Sequence, residues 1–310
     1  MAGGFNFGGG SNSDGTFAPL RNFLLAPSWL VIGIFLILPV GTMLVYSFLT
    51  KEFRGGVIWE FTFAAYDQFF LDRGLFGDEP PSLEWTYITI FWRSIWQAGL
   101  ATILCLLIGF PTAYFIATRP ASTRTIWLFA ITIPYWVNLL IRTVSMKFLI
   151  RDSGPLNEFM IAIGVISDPI KMINTDFAVQ LGLFYSYLPF MVLPIYASVE
   201  RYNFALSEAA ADLYATRWTT LTQVVLPAVR PGIIAGCILV FVPSLGAFLA
   251  PDLLGGAKNF MIGSLIEEQF KGNAGNWPFG AAASMILLSM VLLVLLAYAR
   301  QQARQDRGTH

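Results

Sequence analysis

The sequence ALSEAAADLYATRWTTLTQVVLPAVRPG, from Ala205 to Gly232, lies between two long apolar stretches and decides how the chain is organised. Apolar residues recur there at the spacing of one helix face, at Leu206, Ala209, Ala210, Leu213 and Tyr214. Ser207 can cap the start of this helix, and Glu208 in the first turn complements its dipole. Pro227 and Pro231 are expected to end the helical segment. We therefore predict a short helix of small and acidic residues outside the apolar part of the chain.

The composition around this segment is that of a membrane protein. Of 310 residues, 56% are hydrophobic and 12% are charged, against about 25% charged residues in globular proteins, and the mean hydropathy is +0.63. Cys105 and Cys237 lie in apolar runs and are expected to be small buried side chains, not a disulfide or a metal site. The single histidine is His310, so histidine metal sites, triads and proton relays are excluded.

Six windows without charged residues predict six transmembrane helices, since a spanning helix needs about 20 mostly apolar residues. The third window is short and has to extend past Arg142. The windows are too long and too uniformly apolar for barrel strands, so the predicted fold is an all-α membrane protein. The windows are residues 22–50, 94–118, 125–141, 177–199, 231–251 and 272–299.

An even number of spans places both termini on one side of the membrane. The segments on that side hold nine Lys/Arg and five Asp/Glu, against ten and fourteen on the other. The nine basic residues lie close to helix ends in short loops, which favours a cytoplasmic location for both termini. The predicted organisation is a Gly/Ser-rich cytoplasmic tail at 1–20, a six-helix domain at 21–300 with a cytoplasmic loop at 200–231, and a cytoplasmic tail at 301–310.

Signatures of catalysis are missing from the sequence. It contains no G-x-x-x-x-G-K-[ST] phosphate loop, no G-x-S-x-G elbow and no H-E-x-x-H motif. A membrane-bound enzyme is therefore a weak hypothesis. A self-contained secondary transporter is the other alternative, but the sequence shows neither an intramembrane relay of ionisable residues nor a clear inverted repeat. Transport is therefore the stronger hypothesis.

The acidic helix is suited to a protein partner more than to lipid. Interfacial helices carry a basic polar face, and the inner leaflet is anionic, whereas Glu208 and Asp212 are both acidic. We expect its small side chains to allow the close approach of another protein.

The segment resembles the EAA loop of ABC importer permeases. Glu208, Ala209 and Ala210 match the EAA triplet, and the pattern ends on Leu226 and Pro227. Tyr214 is the departure, because glycine is usual there, and Ala215 matches the residue that follows. Beyond this loop, the chain resembles the first permease subunit of spermidine/putrescine importers from about Ser94 to Ala299. The stretches that carry this resemblance are PYWVNLLIRT, GPLNEFM, LPFMVLPIYASVE, PGIIAGCILVF and DLLGGAKNFMIGSLIEEQF.

This resemblance implies a type I ABC importer permease in the bacterial inner membrane. The implied partners are a second permease chain, an ATPase dimer that carries ATP and Mg, a periplasmic binding protein, a small solute and membrane lipid. No metal or cofactor in this chain and no nucleic acid are expected. The residues implied to dock on the ATPase are Glu208, Ala209, Ala210, Leu213, Tyr214, Ala215, Leu226 and Pro227.

Polar and aromatic residues within the spans are the candidates for the solute path. They are Tyr135, Trp136, Asn138, Arg142, Tyr185, Tyr187, Ser244, Phe248 and Asp252. Each has a structural alternative: the aromatic rings can simply pack, Arg142 can snorkel to the outer interface, and Asp252 can begin an outer loop. Polyamine is the solute that the resemblance implies, while opines, thiamine and iron stay open. Intramembrane carboxylates are scarce, so acids for a cation are expected from the second permease or the binding protein.

Overall fold

The computed structural model describes residues 18–52, 55–72, 82–83, 85–256, 259–271 and 275–307. Of the tails predicted at 1–20 and 301–310, residues 1–17 and 308–310 lie outside the described residues, and the rest is helical. The described helices are α1 Ala18–Tyr46, α2 Ala64–Asp67, α3 Trp85–Ala117, α4 Ala121–Thr132, α5 Leu139–Ile150, α6 Pro155–Ala162, α7 Asp176–Glu200, α8 Ala205–Asp212, α9 Arg217–Thr220, α10 Leu226–Leu245, α11 Ile262–Phe270 and α12 Trp277–Arg307. The last helix therefore continues past residue 300.

Within the described residues, five helical runs are long and apolar enough to cross a membrane, and a bent pair makes the sixth. The five are Pro27–Tyr46, Trp85–Ala117, Asp176–Glu200, Arg217–Leu245 and Trp277–Arg300. The prediction of a helical membrane protein with six spans is confirmed. The third span, however, is not one helix that continues past Arg142. Ala121–Trp136 and Leu139–Ala162 are bent by 92°.

The break in the third span has a local cause. A 3-10 turn, Ile133–Trp136, contains Pro134, which lacks the N–H that an α-helix needs. Val137 is extended, with φ −83° and ψ 137°. The side chain of Asn138 then accepts a hydrogen bond from the Leu140 amide at 2.8 Å and caps α5. The two halves are therefore separate helices with their own ends.

The centre of the bundle is formed by α3, α7 and α10. Buried residues from the three helices form one core cluster, including Cys105, Ile116, Met191, Ile195 and Val240. Glycines allow the backbones to approach closely. A Cβ on Gly232 would lie 2.2 Å from the Ser198 Oγ and 2.6 Å from the Pro194 carbonyl oxygen, so only glycine fits that crossing of α10 and α7.

The prolines near residue 230 do not end the helical segment, contrary to the sequence-based expectation. A helical run continues from Arg217, through Thr220, to Leu245, and it contains both Pro227 and Pro231. A π-helical turn, Leu221–Val225, precedes α10, and the Leu226 amide donates to the Leu221 carbonyl five residues back. This wider turn accommodates the missing proline N–H, so the run stays continuous.

Small sheets add to the predicted all-helical fold between α1 and α3. Strands β1 Leu49–Lys51 and β2 Val57–Phe61 pair antiparallel, as do β3 Leu71–Asp72 and β4 Ser82–Leu83. They lie at the end of the bundle opposite to α8. The short helix α6 lies between α5 and α7.

Candidate coupling surface and membrane path

Helix α8 begins two residues before the predicted cap. The side chain of Asn203 accepts a hydrogen bond from the Ala205 amide at 3.1 Å. Ser207 does not cap the helix; its hydroxyl is 2.7 Å from the hydroxyl of Tyr202. The N-cap residue is Phe204, whose side chain makes no cap hydrogen bond, and Asn203 just before it accepts from the first amide of the helix.

The end of α8 is a tight C-terminal turn centred on Tyr214. The helix stops at Asp212, and Tyr214 has φ +59° in the left-handed region. The Tyr214 amide donates to the Ala211 carbonyl at 2.9 Å, and the Ala215 amide donates to the Ala210 carbonyl at 3.0 Å. This pair of bonds is the Schellman arrangement, in which the left-handed position is usually glycine. Tyr214 is therefore not on the helix stripe where the sequence pattern placed it.

The surface of α8 is open. The Tyr214 side chain is 96% exposed and that of Leu213 is 82% exposed. Glu208 and Ala209 are also exposed, and Glu208 makes no ion pair among the described residues. The tyrosine ring does not pack on its own chain, so the bulk that replaces glycine points away from the bundle.

The other residues predicted to dock on the ATPase are less exposed or lie elsewhere in the fold. Ala210 and Ala215 are half-buried and close the turn. Leu226 and Pro227 begin α10, on the spanning run itself, and Leu226 is half-buried. The structure thus brings Glu208 and the segment 209–215 together as one surface and places the Leu-Pro pair in the helix behind it.

Aromatic contacts hold α8 on the bundle. The Phe204 ring lies 5.2 Å from the Tyr202 ring and 6.4 Å from the Tyr114 ring on α3, centroid to centroid. On the other side, Thr216 accepts from the Thr219 amide at 3.2 Å and caps α9, which leads directly into the α10 run. Helix α8 is therefore connected to both α3 and α10.

The membrane path candidates centre on Arg142. This side chain is only 7% exposed. Its guanidinium carbon lies 4.6 Å from the centroid of the Tyr135 ring and 5.8 Å from that of Tyr185. Tyr135 belongs to the 3-10 turn, Arg142 to the first turn of α5 and Tyr185 to the middle of α7. Arg142 therefore does not snorkel to an interface; it is enclosed by aromatic rings.

Other path candidates surround this cluster. The Tyr187 hydroxyl donates to the Pro243 carbonyl at 3.2 Å, and Ser244 is fully buried. A cavity of about 100 Å³ is lined by Tyr187 and Phe248, with Leu139, Thr143 and Ser186 among its other neighbours. These contacts join the α10 end to the middle of α7.

Three candidates lie away from the cluster. Trp136 is 75% exposed and packs edge-on against Phe129 at 5.3 Å. The side chain of Asn138 serves the α5 cap. Asp252 lies 4.0 Å from the Lys271 Nζ, which also contacts Glu267 at 2.8 Å. The hydrogen bond to Glu267 raises the pKa of Lys271, so this exposed group stays a cation.

One polar network was not predicted from the sequence. At the end of the bundle opposite to α8, the Arg93 guanidinium donates to Asp176 at 3.1 Å and to the Asn259 side chain at 2.7 Å. The side-chain amide of Gln97 donates to the same Asp176 carboxylate at 2.8 Å. The side-chain amide of Gln180 donates to the backbone carbonyl oxygen of Gln97 at 2.9 Å. The only sequence signal for this network is the four-residue spacing of its polar residues. Arg93 and Gln97 lie at the start of the second apolar window, and Asp176 and Gln180 lie at the start of the fourth. Within the described residues, no cluster of His, Cys, Asp or Glu could hold a metal ion.

Comparison with known families places this geometry among transport proteins. The family model described as a binding-protein-dependent transport system inner membrane component matches residues 109–307. The spermidine/putrescine transport system permease protein PotB of Escherichia coli (strain K12) is 40% identical over 274 residues, which cover 88% of this chain and 93% of the relative. PotB of Haemophilus influenzae is 38% identical over 280 residues, covering 90% and 92%.

Solved structures share the fold. A chain of a bacterial ABC transporter involved in the import of the acidic polysaccharide alginate has a TM-score of 0.66 at 19% identity, over 92% of this chain and 96% of that chain. A chain of the inward-facing MetNI methionine ABC transporter has a TM-score of 0.53 at 17% identity, over 70% and 94%. The fold is that of ABC importer membrane subunits.

Proposed function

The chain belongs to the family of binding-protein-dependent transport system inner membrane components, and from this premise we propose that it is the permease subunit of an ATP-driven polyamine importer. The observation that carries the solute class is the 40% identity, over 88% of the chain, to a spermidine/putrescine permease. The aromatic cluster around Tyr135 and Tyr185 agrees with it, since ring faces attract organic cations.

The chain would form half of the translocation path, with a second homologous permease forming the other half. A periplasmic binding protein would deliver the solute; one of the alginate transporter structures contains a periplasmic protein bound to its pentasaccharide. ATP and Mg would be held by a separate ATPase dimer, so this chain itself would be non-catalytic. Both termini and α8 would then lie on the cytoplasmic side of the inner membrane.

Helix α8 is proposed to receive the ATPase. Its exposed Glu208, Leu213 and Tyr214 provide a small surface with one acid and two apolar side chains. Closure of the ATPase dimer on ATP would move α8, and the Phe204–Tyr114 contact and the α9–α10 run would pass that movement to the spans. Such a mechanism needs only that the ATPase contacts differ between two states of the assembly.

The test is transport by the reconstituted assembly. The chain would be co-expressed with a second permease, an ATPase and a binding protein from its own organism, and uptake of radiolabelled spermidine and putrescine into proteoliposomes would be measured. ATP-dependent uptake that requires the binding protein is expected. Failure to take up either polyamine, together with uptake of thiamine, iron or an opine, would refute the proposed solute.

A further inference from the structure

A cation already occupies the aromatic site in the spans. The Arg142 guanidinium stands over the Tyr135 ring at 4.6 Å and faces the Tyr185 ring at 5.8 Å, both within the range of a cation–π interaction. Arg142 is buried, at 7% exposed, while Tyr185 on the other side is 37% exposed. A pair of ring faces that holds a guanidinium has the chemistry to hold a substituted ammonium group as well.

Hydrogen bonding does little to hold Arg142 there. The Nη2 atom donates to the Val137 carbonyl at 3.4 Å, a long bond. The Nε and Nη1 atoms and the Tyr135 hydroxyl are buried without a hydrogen-bond partner in the described structure. No described carboxylate forms an ion pair with Arg142. Buried donors without partners raise the free energy of this arrangement, so the side chain is held mainly by the two rings.

The geometry points to Arg142 as an internal occupant of a cation site that the transported solute uses. In the resting chain its guanidinium fills the cage of Tyr135 and Tyr185, and an ammonium group of the solute displaces it. Two cations do not share one pair of ring faces, because like charges repel. This inference rests on the proposed function for the identity of the solute, but the cage and its occupant are features of the chain itself.

Displacement of Arg142 has a structural consequence. Tyr135 precedes the 92° break of the third span, Arg142 follows it, and Tyr185 lies on α7. The guanidinium therefore ties the two halves of the broken span to each other and to the bundle core. Its removal by a solute cation releases α5 from the 3-10 turn, which links arrival of the solute to movement at the break.

The experiment measures polyamine binding to the purified membrane assembly of the two permeases and the ATPase dimer, in the absence of the binding protein. The probes are radiolabelled spermidine and 1,8-diaminooctane, with 1,8-octanediol as the uncharged counterpart. Arg142→Gln removes the internal cation, and we expect it to bind both amines at least tenfold more tightly than the wild type. Arg142→Lys keeps a cation and is expected to match the wild type. The diol is expected to bind neither variant.

A second change identifies the cage. In the Arg142→Gln background, Tyr135→Phe keeps the ring face and retains the gain, whereas Tyr135→Leu removes it. Equal affinity of Arg142→Gln and wild type, or an equal gain in Arg142→Lys, overturns the inference. Loss of the second permease from Arg142→Gln but not from Arg142→Lys also overturns it, because the charge then holds the assembly together. The uptake assay separates the two proposals, since amine binding by Arg142→Gln does not depend on which solute the wild type carries.

Discussion

The Ala215 amide donates to the carbonyl of Ala210 at 3.0 Å, and this bond closes the end of α8 around Tyr214. Tyr214 has the left-handed backbone, φ +59°, that glycine adopts without steric cost. The chain thus has at this position the backbone shape that glycine adopts freely, together with a ring that is 96% exposed. Bulk at this position extends the exposed surface of α8 and leaves the turn intact.

Tyr214→Ala and Tyr214→Gly should separate the ring from the backbone. Both remove the exposed ring, so both should reduce co-purification of the ATPase to the same extent. Only glycine relieves the left-handed strain, so the α8 turn should be more stable in Tyr214→Gly by roughly 1 kcal/mol. Hydrogen–deuterium exchange of the Ala215 amide should then be roughly fivefold slower than in Tyr214→Ala.

Tyr214→Phe is the control for the ring itself, and it should keep the ATPase at the wild-type level. If both ring-removing variants retained the ATPase, the ring would have no part in docking.

Glu208→Lys should weaken the contact between α8 and the ATPase. Glu208 is exposed in the first turn of α8, where its charge also complements the helix dipole, an effect of about 0.3–1 kcal/mol. We expect lower ATPase co-purification and lower ATP-dependent uptake. Glu158→Lys is the matched control, because it makes the same change in net charge in the first turn of a different exposed helix, α6, and should leave uptake and association unchanged. Unchanged uptake and association in Glu208→Lys would remove α8 from the interface.

The membrane spans and the exposed helix α8 can be predicted from the local sequence. Where the structure differs from these predictions, the difference has a local physical cause. Charge-free windows predict six crossings because the hydrocarbon core excludes charge whatever the packing. They do not tell a straight helix from a broken one. Pro134 and Asn138 are the signals of the break, since one removes an amide and the other caps a new helix. Pro227, in contrast, does not break its helix, because the π-helical turn before it keeps the helical run continuous.

The polar network around Arg93 and Asp176 could not be predicted from any one window. The partners of Arg93 are Asp176 and Asn259, which are 83 and 166 residues away in sequence. Their meeting depends on how α3, α7 and the segment before α11 pack, and no periodicity encodes that arrangement. The enclosure of Arg142 has the same origin, because Tyr185 comes from a different span.

Asp176→Asn should lower the thermal stability of the chain modestly. Asp176 accepts from Arg93 at 3.1 Å and from Gln97 at 2.8 Å, but the two charged side chains are 31% and 56% exposed. Solvent screening keeps such a pair to about 1 kcal/mol or less, so a fall of about 2 °C in Tm is expected for the purified assembly. Glu158→Gln is the control, a carboxylate in the first turn of α6 with no side-chain partner among the described residues. Equal shifts in both variants would mean that the network contributes nothing specific.

Gly232→Ala should disrupt the crossing of α10 and α7. The added Cβ would lie 2.2 Å from the Ser198 Oγ and 2.6 Å from the Pro194 carbonyl oxygen, which is backbone and cannot rotate away. Overpacking of this kind costs about 1–3 kcal/mol, and the Tm of the assembly should fall by several degrees. Gly99→Ala on α3 is the matched helix-interior control, since a Cβ there meets nothing within 4 Å. That change should be neutral or stabilising, because alanine favours helix over glycine by about 1 kcal/mol. A Gly232→Ala assembly as stable as Gly99→Ala would show that the two helices do not cross this closely in the membrane.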